Sequence, residues 1–177
     1  MLTTASKLTL LRIVLIPLIL LLLYLGFPGS NWAALALFIV ASLTDLLDGY
    51  VARHYHQVTD FGKFVDPLAD KMLVLSVLCW FVERLRFSGV VLALVLFREF
   101  AVSGMRLIAA EQGKVIAAAW SGKVKTASTM VCLCLMLAFE LPWLDALGAA
   151  VIAATTLWSG VEYFAKNYSV FAQKTAE

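Results

Sequence analysis

The stretch Asp45-Leu46-Leu47-Asp48-Gly49-Tyr50-Val51-Ala52-Arg53, followed after eight residues by Gly62-Lys63-Phe64-Val65-Asp66-Pro67-Leu68-Ala69-Asp70, decides how this chain is read. It places four aspartates where two strongly apolar segments meet. A carboxylate within or bordering lipid is costly to keep, so it marks a functional site by default. Asp45 and Asp48 are three apart, and Asp66 and Asp70 are four apart. On helices, residues at these spacings share a face.

The rest of the chain supplies the setting. Its 177 residues are 62% hydrophobic and 15% charged, and the mean hydropathy is +0.90. Soluble domains lie nearer half apolar and a quarter charged, so these values predict an integral membrane protein. One span takes about 20 apolar residues. The length therefore predicts an all-α polytopic bundle of about six transmembrane helices, forming a single domain over residues 1–177. Helices are expected at about 8–25, 31–52, 64–82, 90–110, 122–139 and 143–164. The breaks carry turn chemistry: Gly26 to Asn31, Glu83 to Gly89, Gly113, Gly122, and Leu141-Pro142. The first apolar run lacks a small-residue cleavage site and reads as a span, not a signal peptide.

Lys and Arg in short loops set orientation. Lys7, Arg53, Lys63, Lys114, Lys123, Lys125, Lys166 and Lys174 fall on one side and only Arg84 and Arg86 on the other. This predicts a multi-pass protein of the cell inner or plasma membrane, with both termini and the aspartates on the cytoplasmic side. Trp32, Trp80, Trp143 and Trp120 lie near helix ends, as an interfacial belt or as packing residues. Cys79, Cys132 and Cys134 lie in apolar runs and read as buried small hydrophobes. A net charge of +2 is too small to imply nucleic acid.

Two aspartate faces turned toward each other would make a cluster of oxygen ligands, which hard cations such as Mg²⁺ or Mn²⁺ favour. Metal would remove the mutual repulsion of Asp45, Asp48, Asp66 and Asp70. Two such ions could clamp the attacking and leaving oxygens of a phosphoryl displacement. Gly49, Ala52 and Gly62 are small enough for close approach, and Arg53 offers a bidentate fork for phosphate. Simpler roles exist one residue at a time. Asp66 before Pro67 has the chemistry of a helix cap, and Asp48-Gly49 that of a turn. They fail for the set, since Asp45 and Asp70 fall inside expected helices. His54 and His56 read as solvated loop histidines.

The combined pattern, D-x2-D-G-x2-A-R-x8-G-x3-D-x3-D, resembles the signature of the CDP-alcohol phosphatidyltransferases, and all eight specified positions match. The six-helix reading is similar to that family's architecture, so the likeness covers essentially the whole chain. The resemblance implies a metal-dependent reaction in which a CDP-linked lipid, usually CDP-diacylglycerol, gives its phosphatidyl group to an alcohol and CMP leaves. It implies that Asp45, Asp48 and Asp66 are metal ligands. Asp70 would face the metals too and act as the general base. Gly49, Ala52 and Arg53, with Gly62, would bind the CDP-lipid. Family likeness also implies a homodimer.

The second half bears on the acceptor. Arg98-Glu99-Phe100, Ser103-Gly104-Met105-Arg106 and Ser121-Gly122-Lys123-Val124-Lys125-Thr126 carry charge into apolar helices. Glu99, Ser103 and Arg106 share a helix face by spacing. Arg106, Lys123 and Lys125 lie near the cytoplasmic end and suit an anionic acceptor, a phosphate monoester above all. Lys123 and Lys125 also have the chemistry of topology anchors. Arg98 and Glu99 are deeper and should neutralise one another or a neighbour. These elements, with Leu8-Thr9-Leu10-Leu11-Arg12 and Pro17, resemble the phosphatidylglycerophosphate synthase branch. That likeness implies sn-glycerol 3-phosphate as acceptor and phosphatidylglycerol phosphate as product, with Arg106, Lys123 and Lys125 on the acceptor phosphate. Where that branch often has Pro-Asn, this chain has Ala5-Ser6.

Other readings compete. A sibling transferase would use serine, inositol phosphate or phosphatidylglycerol. Serine needs no phosphate clamp, whereas inositol phosphate does. An intramembrane prenyltransferase would need two separated aspartate motifs and more helices. A divalent-cation channel or carrier would use an acidic ring, but Arg53, Lys71 and Arg106 oppose cation passage.

Overall fold

The computed structural model describes the backbone of residues 4–54, 60–113, 116 and 119–168. Side chains are described for the same residues except 4–8, 45–54, 60–64, 66 and 67. Among the described residues the chain is all-α, with six helices: α1 (Thr4–Leu25), α2 (Ser30–His54), α3 (Asp60–Glu83), α4 (Gly89–Glu111), α5 (Trp120–Ala138) and α6 (Pro142–Asn167). Each expected helix is present. The largest changes are at the starts of α1, which begins at Thr4 and not at about 8, and of α3, which begins at Asp60 and not at about 64. In each, a polar first turn precedes the apolar run that sets hydropathy, so apolarity alone places the start too late. Asp66 therefore lies well inside α3, and the capping role open to it from sequence does not apply.

Two compact units divide the fold, and α5 contributes to both. The first holds residues up to Arg84 together with Leu133–Glu140. In it α1 packs on α2 and α3, and α2 meets α3. The buried side chains of α1, Thr9, Arg12, Ile16, Ile19 and Leu23, recur at three or four residues, the stripe of one helix face. Ala34, Phe38 and Ala41 form the matching stripe on α2, and Val65, Ala69, Leu73, Val77 and Phe81 that on α3. The small Ala34 and Ala41 let the α1 and α2 backbones approach closely. Gly26, at φ +61°, supplies the left-handed turn residue that ends α1.

The second unit holds Leu85–Cys132 and Leu141–Glu177. Here α4 packs on α6. The inward face of α6 is Asp145, Gly148, Ile152, Thr156, Ser159 and Tyr163, and that of α5 begins Ser121, Lys125, Thr129. These faces are unusually polar. In an apolar chain, polar side chains turn to the protein interior, where Lys125, Thr129, Asp145 and Ser159 find partners.

α6 is, among the described residues, the one helix long and apolar enough by itself to cross a membrane. Thr9–Leu25 and Ser30–Thr44 are shorter apolar stretches. Trp32, Trp120 and Trp143 are well exposed at the starts of α2, α5 and α6, as a belt requires, whereas Trp80 is buried and packs edge-on to Phe81. The cysteines depart from expectation. Cys79 is exposed and Cys132 and Cys134 are only half-buried. An apolar run in such a chain covers both the inner and outer faces of its helix, so lying within one does not bury a thiol.

Candidate active site

The backbone places Asp45 and Asp48 on α2 and Asp66 and Asp70 on α3, two helices that pack on one another. Both pairs keep the spacing that puts each on one helical face. Among described side chains, Asp70 is half-buried, one position from the half-buried Lys71. The side chains of Asp45, Asp48, Asp66, Ala52 and Arg53, and the surroundings of Gly49 and Gly62, lie outside what is described. So do the side chain of His54 and the whole of His56, and Lys114 and Lys174 among the orienting charges.

Arg12 enters the same unit from α1. Its guanidinium is fully buried, and its Nε donates to the carbonyl of Ala41 at 3.3 Å. Ala41 is one helical turn before Asp45 on α2. Thr44 Oγ1 donates to that same carbonyl at 2.7 Å. The sequence reading used Arg12 only as part of a resemblance. An arginine inside an apolar stretch, at the inward position of the α1 stripe, was the signal for its burial.

The basic set of the second unit is resolved in detail. Lys125 is 5% exposed, and its Nζ donates to Glu99 Oε1 at 2.6 Å. Arg98 Nη1 donates to the same oxygen at 3.1 Å, and Arg98 Nη2 to Ser159 Oγ at 2.5 Å. The expectation that Arg98 and Glu99 neutralise one another or a neighbour is met twice over. Arg106 is exposed, but its Nε donates to the Tyr163 hydroxyl at 3.0 Å and its guanidinium lies 5.6 Å from the centre of that ring.

Lys123 behaves differently. It is exposed and lines an open groove of about 510 Å³ with Trp120, Val124, Ala127, Ser128, Val131, Cys132 and Val151. Residues two apart on a helix point to nearly opposite sides. Lys125 thus faces inward and Lys123 outward, and the two do not converge on one point. At the other end of α6, Arg86 forms a bidentate pair with Asp145, with Nε to Oδ2 at 2.8 Å and Nη2 to Oδ1 at 2.9 Å. From sequence alone Arg86 is an orienting charge and nothing more.

The family model described as CDP-alcohol phosphatidyltransferase matches residues 2–161. The chain belongs to that family. Its members are membrane-associated enzymes that depend on divalent metal. A CDP-diacylglycerol–glycerol-3-phosphate 3-phosphatidyltransferase of Bacillus subtilis is 38% identical over 183 aligned positions, covering 92% of this chain and 94% of its own. Proteins of the same name from Escherichia coli and Shigella flexneri are each 41% identical over 165 positions, covering 89% of this chain and 91% of theirs. The match spans both aspartate-bearing helices and the Arg98 to Lys125 region, so the phosphatidyltransferase reading extends beyond one short motif.

Proposed function

We propose that this chain transfers the phosphatidyl group of CDP-diacylglycerol to sn-glycerol 3-phosphate, giving phosphatidylglycerol phosphate and CMP. The observation that carries the reading is the complete eight-position pattern seated on the packed helices α2 and α3. Relatives near 40% identity, whose printed name is this reaction with this acceptor, support the choice of alcohol.

The donor set suits hard divalent ions, since four carboxylates, two on each of two packed helices, offer only oxygen ligands. Asp45, Asp48, Asp66 and Asp70 would hold Mg²⁺ or Mn²⁺, two ions in all. Bound there, they would neutralise the diphosphate and stabilise charge that develops on it. Gly49, Ala52 and Gly62 would let the CDP moiety approach the helix backbones, and Arg53 would grip its phosphate. Asp70 would take the proton from the acceptor hydroxyl. That oxygen then bonds to the lipid-bearing phosphorus as the bond from phosphorus to the CMP oxygen breaks, and CMP departs with the electron pair.

The acceptor phosphate would be held by Arg106 and Lys125, with Lys123 adding charge at the periphery. An ammonium has three N–H donors, so the bond to Glu99 still leaves capacity toward phosphate oxygens. The chain would cross the inner or plasma membrane several times, with both termini and this site on the cytoplasmic side.

The test is CMP release by purified protein in detergent, with CDP-diacylglycerol and Mg²⁺. Glycerol 3-phosphate, serine and inositol phosphate are offered in parallel, each with a chelator control. Chelator-sensitive release with glycerol 3-phosphate is expected. Release only with another alcohol would reject the acceptor, and metal-independent release would reject the aspartate assignment. A second expectation concerns Lys125→Ala. Loss of one charge-assisted bond should raise the acceptor KM about tenfold or more and leave the donor KM in place. Initial rates against each substrate separate the two.

A further inference from the structure

We propose that Glu99 is a positioning residue for acceptor binding, holding the Lys125 ammonium in place at the end of a relay that runs Ser159–Arg98–Glu99–Lys125. The inference rests on the acceptor reading above and assigns a task to two charged residues that the reaction does not otherwise use.

Three contacts build the relay. Ser159 Oγ, fully buried on α6, accepts from Arg98 Nη2 at 2.5 Å. Arg98 Nη1 gives to Glu99 Oε1 at 3.1 Å, and Lys125 Nζ gives to that same oxygen at 2.6 Å. Two glycines shape the passage for Arg98. A Cβ on Gly122 of α5 would stand 3.4 Å from Arg98 Nη2, and one on Gly160 of α6 would stand 3.6 Å from Arg98 Cγ. Arg98 is thus walled by backbone on two helices, and Glu99 is walled by Arg98.

A free lysine has many rotamers to give up on binding, so an ammonium left to wander binds phosphate weakly. Fixing it beforehand moves that cost from binding to folding, which is what preorganisation achieves. Charge points the same way. Arg98, Glu99 and Lys125 together carry a formal +1, so the carboxylate steadies the lysine without cancelling the attraction for a phosphate dianion. The side chains of Lys125, Arg98 and Glu99 are 6%, 11% and 14% exposed, so water screens these interactions little.

Glu99→Gln keeps an oxygen in place and removes the charge. We expect the acceptor KM to rise about tenfold, the scale of one charge-assisted hydrogen bond, with kcat and the CDP-diacylglycerol KM unchanged. The double variant Glu99→Gln/Lys125→Ala should be no worse toward acceptor than Lys125→Ala alone, because Glu99 acts through Lys125. A residue needed only for folding would instead lower kcat, raise both KM values and add to the Lys125→Ala defect, and that result overturns the proposal. Should Glu99→Gln fail to fold, Ser159→Ala cuts the far end of the relay while leaving every charge. A selective rise of about threefold in acceptor KM is expected there, and an unchanged value overturns the proposal.

The wild-type acceptor panel keeps the two readings apart. Turnover with a different phosphate-bearing alcohol removes glycerol 3-phosphate but leaves the selective effect of Glu99→Gln expected toward that alcohol. Turnover only with a phosphate-free alcohol, or none at all, overturns both.

Discussion

Asp45→Asn and Asp66→Asn are each expected to reduce CMP release about a thousandfold or more, with the helical fold retained. Asparagine matches aspartate in shape, so neither substitution should disturb the packing of α2 on α3. What it removes is the negative charge that a hard cation needs, since a neutral amide is a far poorer ligand than a carboxylate. The loss should therefore appear before any chemistry does. Mn²⁺ titrated into purified protein and followed by electron paramagnetic resonance should bind the wild type and bind either variant much more weakly. Raising Mg²⁺ should recover only a small part of the rate. Near-normal turnover in Asp45→Asn would remove the metal assignment, whatever the acceptor proves to be. Full Mn²⁺ binding with turnover lost would keep Asp45 in the site and move it from ligand to another task.

The placement of the aspartates on two packed helices was legible because it is local: two spacings along single helices and one short connection. Element type was legible for the same reason, since an apolar run of about 20 residues has few alternatives in a chain this hydrophobic. What stayed hidden depends on partners far away in sequence. Arg98 and Glu99 required a counter-charge, but nothing in their neighbourhood named Lys125 or Ser159, 26 and 61 positions away. Tyr163, which meets Arg106 through both its hydroxyl and its ring, is 57 positions off and looked like any other aromatic in α6. One feature was readable and passed over. Lys123 and Lys125 are two apart on α5, which turns Lys125 inward and Lys123 outward. The exposure of Cys79 and the half-burial of Cys132 and Cys134 had no such signal, because an apolar run looks alike on its inner and outer faces.

Asp145→Ala should lower stability by about 3 kcal/mol, the usual cost of stripping the partner from a buried ion pair. Arg86 and Asp145 form a bidentate fork with side chains only 17% and 9% exposed. Removing the carboxylate leaves a guanidinium that has given up most of its water. Restoring balance is simpler than restoring charge. The double variant Asp145→Ala/Arg86→Met should recover most of the loss, because no uncompensated ion remains. Asp145 is 18 positions before Tyr163 on α6, so at 1.5 Å per residue the fork stands about 27 Å from the Arg106 contact along the helix. That is close to the thickness of a hydrocarbon core. The Arg86–Asp145 fork and the Arg106–Tyr163 contact therefore sit at opposite levels of α6, and their functions separate. The single variant should unfold at lower temperature in detergent, yet its acceptor KM, measured well below that temperature, should match the wild type. A raised acceptor KM would mean that the fork reaches the Arg106 end of α6, and full stability in Asp145→Ala would mean that the guanidinium finds water.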